Sequence, residues 1–211
     1  MPYSNQKTRE ALGAVRVYPD HTPIYHQGDA ATRIFRVNSG VVMTFRLLED
    51  SRRQITGFCT EGDFFGLSPH PHHSDGAVTV TSAGIQSVSI SALETDAGLR
   101  AQIMDHSVRK IEDTQNLMVT LTKTSSEARV AAFLVMLADR RAKRATGEEE
   151  IEVRLPMSRL DIADYLGLSR ETVSRRLNEL KESGLIRLPD IHTASIRTVD
   201  GLRRCAGLVA A

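Results

Sequence analysis

The chain has 211 residues, 41% of them hydrophobic and 25% charged, with a net charge of +1; that length holds two modest domains, and the balance is that of a globular protein. No apolar run reaches the roughly 18 residues of a membrane span, and Met1 to Glu10 lack the apolar core of a secretion signal, so a cytoplasmic location is expected. Two cysteines, Cys59 and Cys205, are too few for a four-thiolate cluster, and their separation argues against a structural disulfide in a reducing compartment.

From about residue 14 to 92 the chain carries a series of short strand signals: Ile34–Val37, Val41–Leu47, Gln54–Phe58, Ala77–Thr81 and Ile85–Ile90. Turn signals fall between them at Gly28-Asp29, Ser39-Gly40, Glu49-Asp50 and Gly62-Asp63. Many short strands at this spacing predict a β-sandwich or jelly-roll barrel. Cys59 ends the apolar run Ile55 to Cys59 and reads as a small buried hydrophobe, with a redox thiol as the alternative.

From about Ala92 to Ser125 the pattern turns helical. Met104, Ile111 and Met118 recur every seven residues, with Ser107, Thr114 and Leu121 interleaved, which predicts a short heptad seam for pairing with a second copy. A helix packed only on its own barrel is the alternative. Arg129 to Ala142 predicts a further amphipathic helix with Val130, Phe133, Leu134 and Leu137 inward, followed by an acidic loop at Gly147 to Glu150.

Ser158-Arg-Leu-Asp161 has the spacing of a capping box with Asp in the Glu position, opening a short helix with Leu160, Ile162, Ala163 and Leu166 inward. Gly167 to Ser169 is then a tight turn, and Ser169 an N-cap whose hydroxyl takes a free N–H of the next helix. Val173, Leu177 and Leu180 form that helix's buried stripe, and Gly184 supplies the left-handed residue that stops it. Two capped helices joined by a turn containing glycine predict a helix-turn-helix, whose second helix enters the DNA major groove by its N-terminal end.

The exposed face of that second helix carries Arg170, Glu171, Ser174, Arg175 and Asn178. An arginine fork matches guanine O6 and N7, a carboxylate accepts from cytosine N4, and a serine hydroxyl serves either role, so Arg170, Glu171, Ser174 and Arg175 are the expected base readers. A glutamate facing a polyanion has no other ready explanation. Leu185–Leu188 and Ser195–Val199 read as two strands around Pro189-Asp190, adding a β wing. Ser158, Ser169, Arg176, Asn178, Arg187, His192 and Arg197 are the candidate phosphate contacts, with exposed strand residues of no role as the alternative for Arg187, His192 and Arg197. Residues 123–211 hold 16 of the 27 Lys and Arg but 13 of the 26 Asp and Glu, so the basic excess lies with this segment.

The expected organisation is α+β: a β-roll at residues 1–95, a dimerisation helix at 96–125 and a winged helix-turn-helix at 126–211. This arrangement, with Gly62-Asp63-Phe-Phe-Gly66 in the roll and Arg170 to Arg175 in the second helix, resembles the CRP/FNR superfamily of bacterial transcription regulators over nearly the whole chain. The runs Arg52 to Leu67 and Leu155 to Leu168 look like the FixK branch, whose members control nitrogen-fixation and microoxic respiration genes. The resemblance implies a cyclic-nucleotide-binding-like roll and a homodimer on palindromic TTGA-N6-TCAA-like DNA. It also implies activation of transcription through RNA polymerase, and it matches Arg170, Glu171, Ser174 and Arg175 to base-reading positions.

Departures from the family pattern carry information too. Cyclic-nucleotide binders place a glutamate after the glycine of their Phe-x-Gly motif and an Arg-Ser pair at the phosphate; here Leu67 follows Gly66, and Asp75-Gly76 fill the Arg-Ser positions. Aspartate repels a cyclic phosphate, so activity independent of cyclic AMP is expected. Two cysteines do not hold an oxygen-sensing iron-sulfur cluster, and no cofactor or metal is expected. Two rival readings stay open: a regulator gated by another small molecule in the roll, and a cupin-like metal barrel using the His-x-His spacing of His70, His72 and His73. The second lacks the later histidine and glutamate of a cupin site, and no enzyme is expected.

Overall fold

The computed structural model describes residues 13–50, 52–122, 125–142 and 150–208; the N-terminal ten residues and Gly147 to Glu149 of the expected acidic loop lie outside them. The chain divides into two units at Asp113/Thr114, a boundary that falls within one helix.

Eight strands build the first unit among the described residues: β1 Arg16–Tyr18, β2 Pro23–Tyr25, β3 Arg33–Ser39, β4 Val42–Leu47, β5 Arg53–Cys59, β6 Phe64–Phe65, β7 Gly76–Thr79 and β8 Ala83–Ser89. They pair antiparallel in two four-stranded sheets, ordered β1-β8-β3-β6 and β2-β7-β4-β5. This is the expected β-roll. The sequence missed β1, β2 and β6, which have two or three residues each and so no alternation to read.

Strand alternation sorts the apolar residues into two cores. Tyr25, Val37, Val42, Cys59, Phe65, Ala77, Ala83 and Ile85 fill the roll, with Tyr18, Ile24 and Phe35 packed against them. Ile34, Phe64 and Val88 point the other way, onto Leu99 and Ile103 of the following helix. The helical stretch expected from Ala92 onward breaks in two, α1 Ala92–Thr95 and α2 Ala97–Leu121. Asp96 causes the break: it leaves helical geometry, and its carboxylate accepts the Leu99 N–H at 2.8 Å, opening α2 as a cap.

The roll's interior is closed by stacked rings. Tyr25 lies 5.5 Å from Phe35 and 6.2 Å from Phe65, Phe35 lies 5.3 Å from Phe65, and the His73 imidazole stacks on Tyr25 at 3.8 Å. Gly66 approaches this cluster so closely that a Cβ there would meet Phe35 at 2.8 Å, and its φ of +79° suits only glycine. The Tyr25 hydroxyl donates to Asp75 Oδ1 at 3.3 Å. Burial pushes the Tyr25 hydroxyl and the Asp75 carboxyl up and the His73 imidazole down, Asp75 and Asp29 opposing the last shift.

The second unit contains α3 Ser126–Ala142, β9 Ile151–Arg154, α4 Arg159–Leu166, α5 Arg170–Glu182, β10 Ile186–Asp190, β11 Thr193–Ile196 and α6 Val199–Cys205. Val130, Phe133, Leu134 and Leu137 of α3 are buried as expected, and Ala131, Ala132, Val135 and Ala138 join them, because α3 packs against α5, α6 and β9. In α4, Ile162, Ala163 and Leu166 face inward, but Leu160 is 51% exposed and Tyr165 takes its place in the core. Two residues on a helix turn about 200°, so Leu160 and Ile162 cannot share a face.

The wing is a three-stranded antiparallel sheet, β10-β11-β9, with Ile186 opposite Ile196 and Ile196 opposite Ile151. Pro189 and Asp190 belong to β10, where the sequence placed the turn; the register shifts between Arg187 and Asp190, which accommodates the missing proline N–H. The turn falls at Ile191-His192, with the His192 N–H donating to Asp190 Oδ1. Val199 opens α6 rather than ending a strand, because the Thr198 hydroxyl caps the helix through the Gly201 N–H at 3.1 Å.

His73 generates a testable pH dependence. Its folded pKa is held below the ordinary value of about 6.5, so the unfolded chain binds more protons and stability is lost as pH falls through about 6.5. Asp75, with its raised pKa, works in the opposite sense. His73→Phe keeps the ring stack and removes the titration. The urea midpoint of the parent should drop between about pH 8 and about pH 5.5, and that of His73→Phe should drop less, the remainder coming from buried His106, whose pKa burial also lowers. An equal drop in both proteins contradicts the assignment.

Candidate nucleic-acid interface

The helix-turn-helix is built from its caps. Ser158 Oγ accepts from the Asp161 N–H at 3.1 Å while Asp161 Oδ2 accepts from the Ser158 N–H at 2.9 Å, the reciprocal pair expected for α4. Gly167 ends α4 at φ 62°, ψ 45°, in the left-handed region. Arg129 of α3 donates to the carbonyls of Leu166 and Gly167 at 3.3 and 3.4 Å, satisfying the end of α4 from outside. Ser169 Oγ then accepts from the Thr172 N–H at 3.2 Å and starts α5. Gly184 stands just beyond that helix at φ 74°.

Val173, Leu177 and Leu180 are at most 2% exposed, which fixes the roll of α5 and turns the opposite face outward. Arg170, Glu171, Arg175 and Asn178 are exposed there and Ser174 is half-exposed, so the five residues expected at the groove share one accessible face. Arg175 Nε lies 4.0 Å from Glu179 Oε1, one turn on, while its side chain stays 61% exposed.

Arg176 does not share that face. Its Nε donates to Ser126 Oγ at 2.7 Å and its Nη1 to Glu179 Oε2 at 2.5 Å, so the guanidinium expected on a phosphate is engaged within the protein. A position one step from the buried stripe has this consequence: Arg176 follows Arg175 but precedes Leu177, and its side chain is half-buried. On the wing, Arg187 grips the Glu150 carboxylate with two N–H groups, and this contact holds the Glu150 pKa below the usual carboxylate range. His192 and Arg197 are exposed just before and just after β11, His192 with Nδ1 3.3 Å from the Leu155 carbonyl. Ser158 and Ser169 are exposed at the two helix starts, their oxygens serving as caps.

Sequence reading missed Arg159. Ser174, Leu177, Asn178 and Lys181 of α5 and Leu188, Asp190 and Ile191 of the wing enclose a groove of about 340 Å³ with Arg159. Arg159 Nη1 is buried there with no hydrogen-bond partner, and burial lowers its pKa without discharging a guanidinium. The signal in the sequence is a cation in the first turn of α4, where the helix dipole disfavours positive charge.

Elsewhere the candidate residues separate. His70 and His72 are exposed whereas His73 is buried against Tyr25, so the His-x-His pair and His73 do not face one centre. Among the described residues no three His, Cys, Asp or Glu side chains are grouped to hold a metal ion, and no helix is long and apolar enough to cross a membrane. Cys59 is buried in the roll core, and burial together with Glu127 pushes the Cys205 thiol up to about 11, away from thiolate chemistry.

Comparison with known proteins agrees with this geometry. Residues 15–93 match the cyclic nucleotide-binding domain family and residues 128–205 the Crp-like helix-turn-helix domain. The nitrogen fixation regulation protein FixK of Azorhizobium caulinodans is 36% identical over 198 residues, covering 92% of this chain and 79% of that protein. The FixK of Rhizobium meliloti is 34% identical, covering 90% and 85%. The structure of FixK2 from Bradyrhizobium japonicum superposes with a TM-score of 0.81 at 30% identity, covering 95% of this chain and all of that one. A ring-filled β-roll and a capped helix-turn-helix, matched over nearly their whole length by such regulators, place this chain in the CRP/FNR superfamily of DNA-binding transcription regulators, among its FixK-like members.

Proposed function

We propose that the protein is a homodimeric transcription activator that reads a two-fold symmetric TTGA-N6-TCAA-like site and needs no cyclic nucleotide to do so. The observation that carries this reading is the outward face of α5, where Arg170, Glu171, Ser174 and Arg175 stand together behind a capped helix start. Glu171 and Arg175 select bases, Ser174 assists, and Arg159, Ser158, Ser169, Asn178, Arg187 and Arg197 meet the flanking phosphates, Arg187 only after exchanging Glu150 for one. Independence from cyclic nucleotides is supported by the interior of the roll, which Tyr25, Phe35, Phe65 and His73 fill with their own rings, with Asp75 bonded to Tyr25. The FixK relatives are nitrogen fixation regulation proteins, which supports nitrogen-fixation genes as targets; microoxic respiration genes follow from the FixK resemblance, with RNA polymerase as the second protein partner and the cytoplasm as the place of action.

In this reading the chain works as a roll at residues 1–95, a dimerisation helix at 96–125 and a winged helix-turn-helix at 126–211. Met104, Ile111 and Met118 are 67, 59 and 64% exposed, and Val108, which the seven-residue count omitted, is 59% exposed between the first two. Ser107 and Leu121 are half-buried and Thr114 exposed, on the flank of this apolar line. A second copy would cover it.

Two experiments test the reading. Ile111→Asp places an unpaired charge in the seam, at a cost of several kcal/mol, and should sediment as a monomer where the parent sediments as a dimer; an unchanged dimer contradicts the seam. Glu171→Ala should lose about 1 to 3 kcal/mol on the palindrome, while random DNA binds as tightly as before or more so, because a carboxylate opposing the DNA field is gone. An unchanged ratio of the two affinities, with no ligand added, contradicts the assignment of the reading face.

A further inference from the structure

A half-buried arginine on a DNA-reading helix has two fates, outward to phosphate or inward to the protein, and Arg176 takes the second. Its planar guanidinium is held at two points, Nε on Ser126 Oγ at 2.7 Å and Nη1 on Glu179 Oε2 at 2.5 Å, so both its position and its plane are fixed. Ser126 is the first residue of α3. One turn on, Arg129 of the same helix donates to the carbonyls of Leu166 and Gly167, at the turn that leads into α5. The first turn of α3 therefore grips the reading helix directly at Arg176 and, through the turn, at its start.

The main apolar attachment of α5 is the stripe of Val173, Leu177 and Leu180. Apolar burial is strong but non-directional, whereas base reading tolerates displacements of only about 0.5 Å and rotations of about 10 to 20°. A directional strut supplies what the stripe does not. Glu179 extends it: one carboxylate oxygen receives Arg176, and the other lies 4.0 Å from Nε of Arg175. The chain of contacts runs Ser126, Arg176, Glu179, Arg175, and ends on a residue of the reading face.

We propose that Arg176 is a positioning residue for DNA reading, setting the roll of α5 and the aim of Arg175 through Ser126 and Glu179 instead of binding phosphate itself. The inference rests on the reading face assigned above. Its test is a binding series on the palindrome and on random DNA over a range of salt, with Ser126→Ala, Ser126→Thr, Arg176→Ala and Arg176→Lys, beside Glu171→Ala and Arg175→Ala as references.

Ser126→Ala and Arg176→Ala should each weaken the palindrome on the order of tenfold, leave random DNA and the salt slope unchanged, and relax preference at the base position that Arg175→Ala relaxes. Ser126→Thr keeps the hydroxyl and should bind as the parent does, and Arg176→Lys, which lacks the fork, should behave like Arg176→Ala. The pair Ser126→Ala/Arg176→Ala should be no weaker than Arg176→Ala alone. A salt slope lower by about one in Arg176→Ala, restored in Arg176→Lys, identifies a phosphate contact and overturns the proposal. Parent-like affinity and base preference in Ser126→Ala overturn it as well, and that small change keeps the test open should Arg176→Ala fold poorly. If Glu171→Ala leaves specificity intact, the reading face itself is wrong; if it lowers specificity while Ser126→Ala does not, only the strut falls.

Discussion

Val173, Leu177 and Leu180 occupy one line along α5 and are sealed from water in the core shared with α3. Burying each contributes roughly 1.5 to 3 kcal/mol, enough together to decide which way the helix faces. Everything that gives the second unit its chemistry follows from that choice. With the stripe inside, Arg170, Glu171, Ser174 and Arg175 lie on the accessible side of the helix, and Arg176, between the two surfaces, finds partners within the protein. The caps at Ser158 and Ser169 then fix where each helix begins, and Arg129 ties their junction to α3.

The first unit applies the same logic with a period of two. Ile34 and Phe64 face α2 while Phe35, Val37 and Phe65 face the roll, so single strands serve two cores at once. The inward side holds large stacked rings, and Gly66 is pressed against one of them. Asp75 accepts there from the neutral Tyr25 hydroxyl, and burial outweighs the nearby His73 and Arg46 to push its carboxyl up. On the proposed reading, a cyclic phosphate would have to displace the ring stack and face this carboxyl.

What could be read from the sequence was what short-range physics dictates. Helix caps, the left-handed glycines 167 and 184, the stripe of α5 and the long strands β3, β4, β5 and β8 all leave local marks in residue type and spacing. What escaped depended on partners distant in the chain. β9, four alternating residues beside the expected acidic loop, becomes a strand by pairing with β11, and β6, with two residues, by pairing with β3. Leu160 looked like core because it is apolar; helix geometry turned it out and let Tyr165 in. In the candidate site, the exposed face of α5 was legible, but the inward engagement of Arg176 by Ser126, fifty residues earlier, was not. Arg159 was hidden for a similar reason, since the groove around it needs both the recognition helix and the wing.

Sequence selection is the measurement that bears most directly on the central claim, that this chain reads a palindrome by the exposed face of α5 with no small molecule in its roll. Random duplex DNA is offered to the purified protein without added ligand, and the bound fraction is sequenced. The account predicts enrichment of two inverted TTGA-like half-sites whose centres lie about one helical turn apart, as a two-fold dimer requires. Enrichment of no motif, or of a single unpaired half-site, would contradict it.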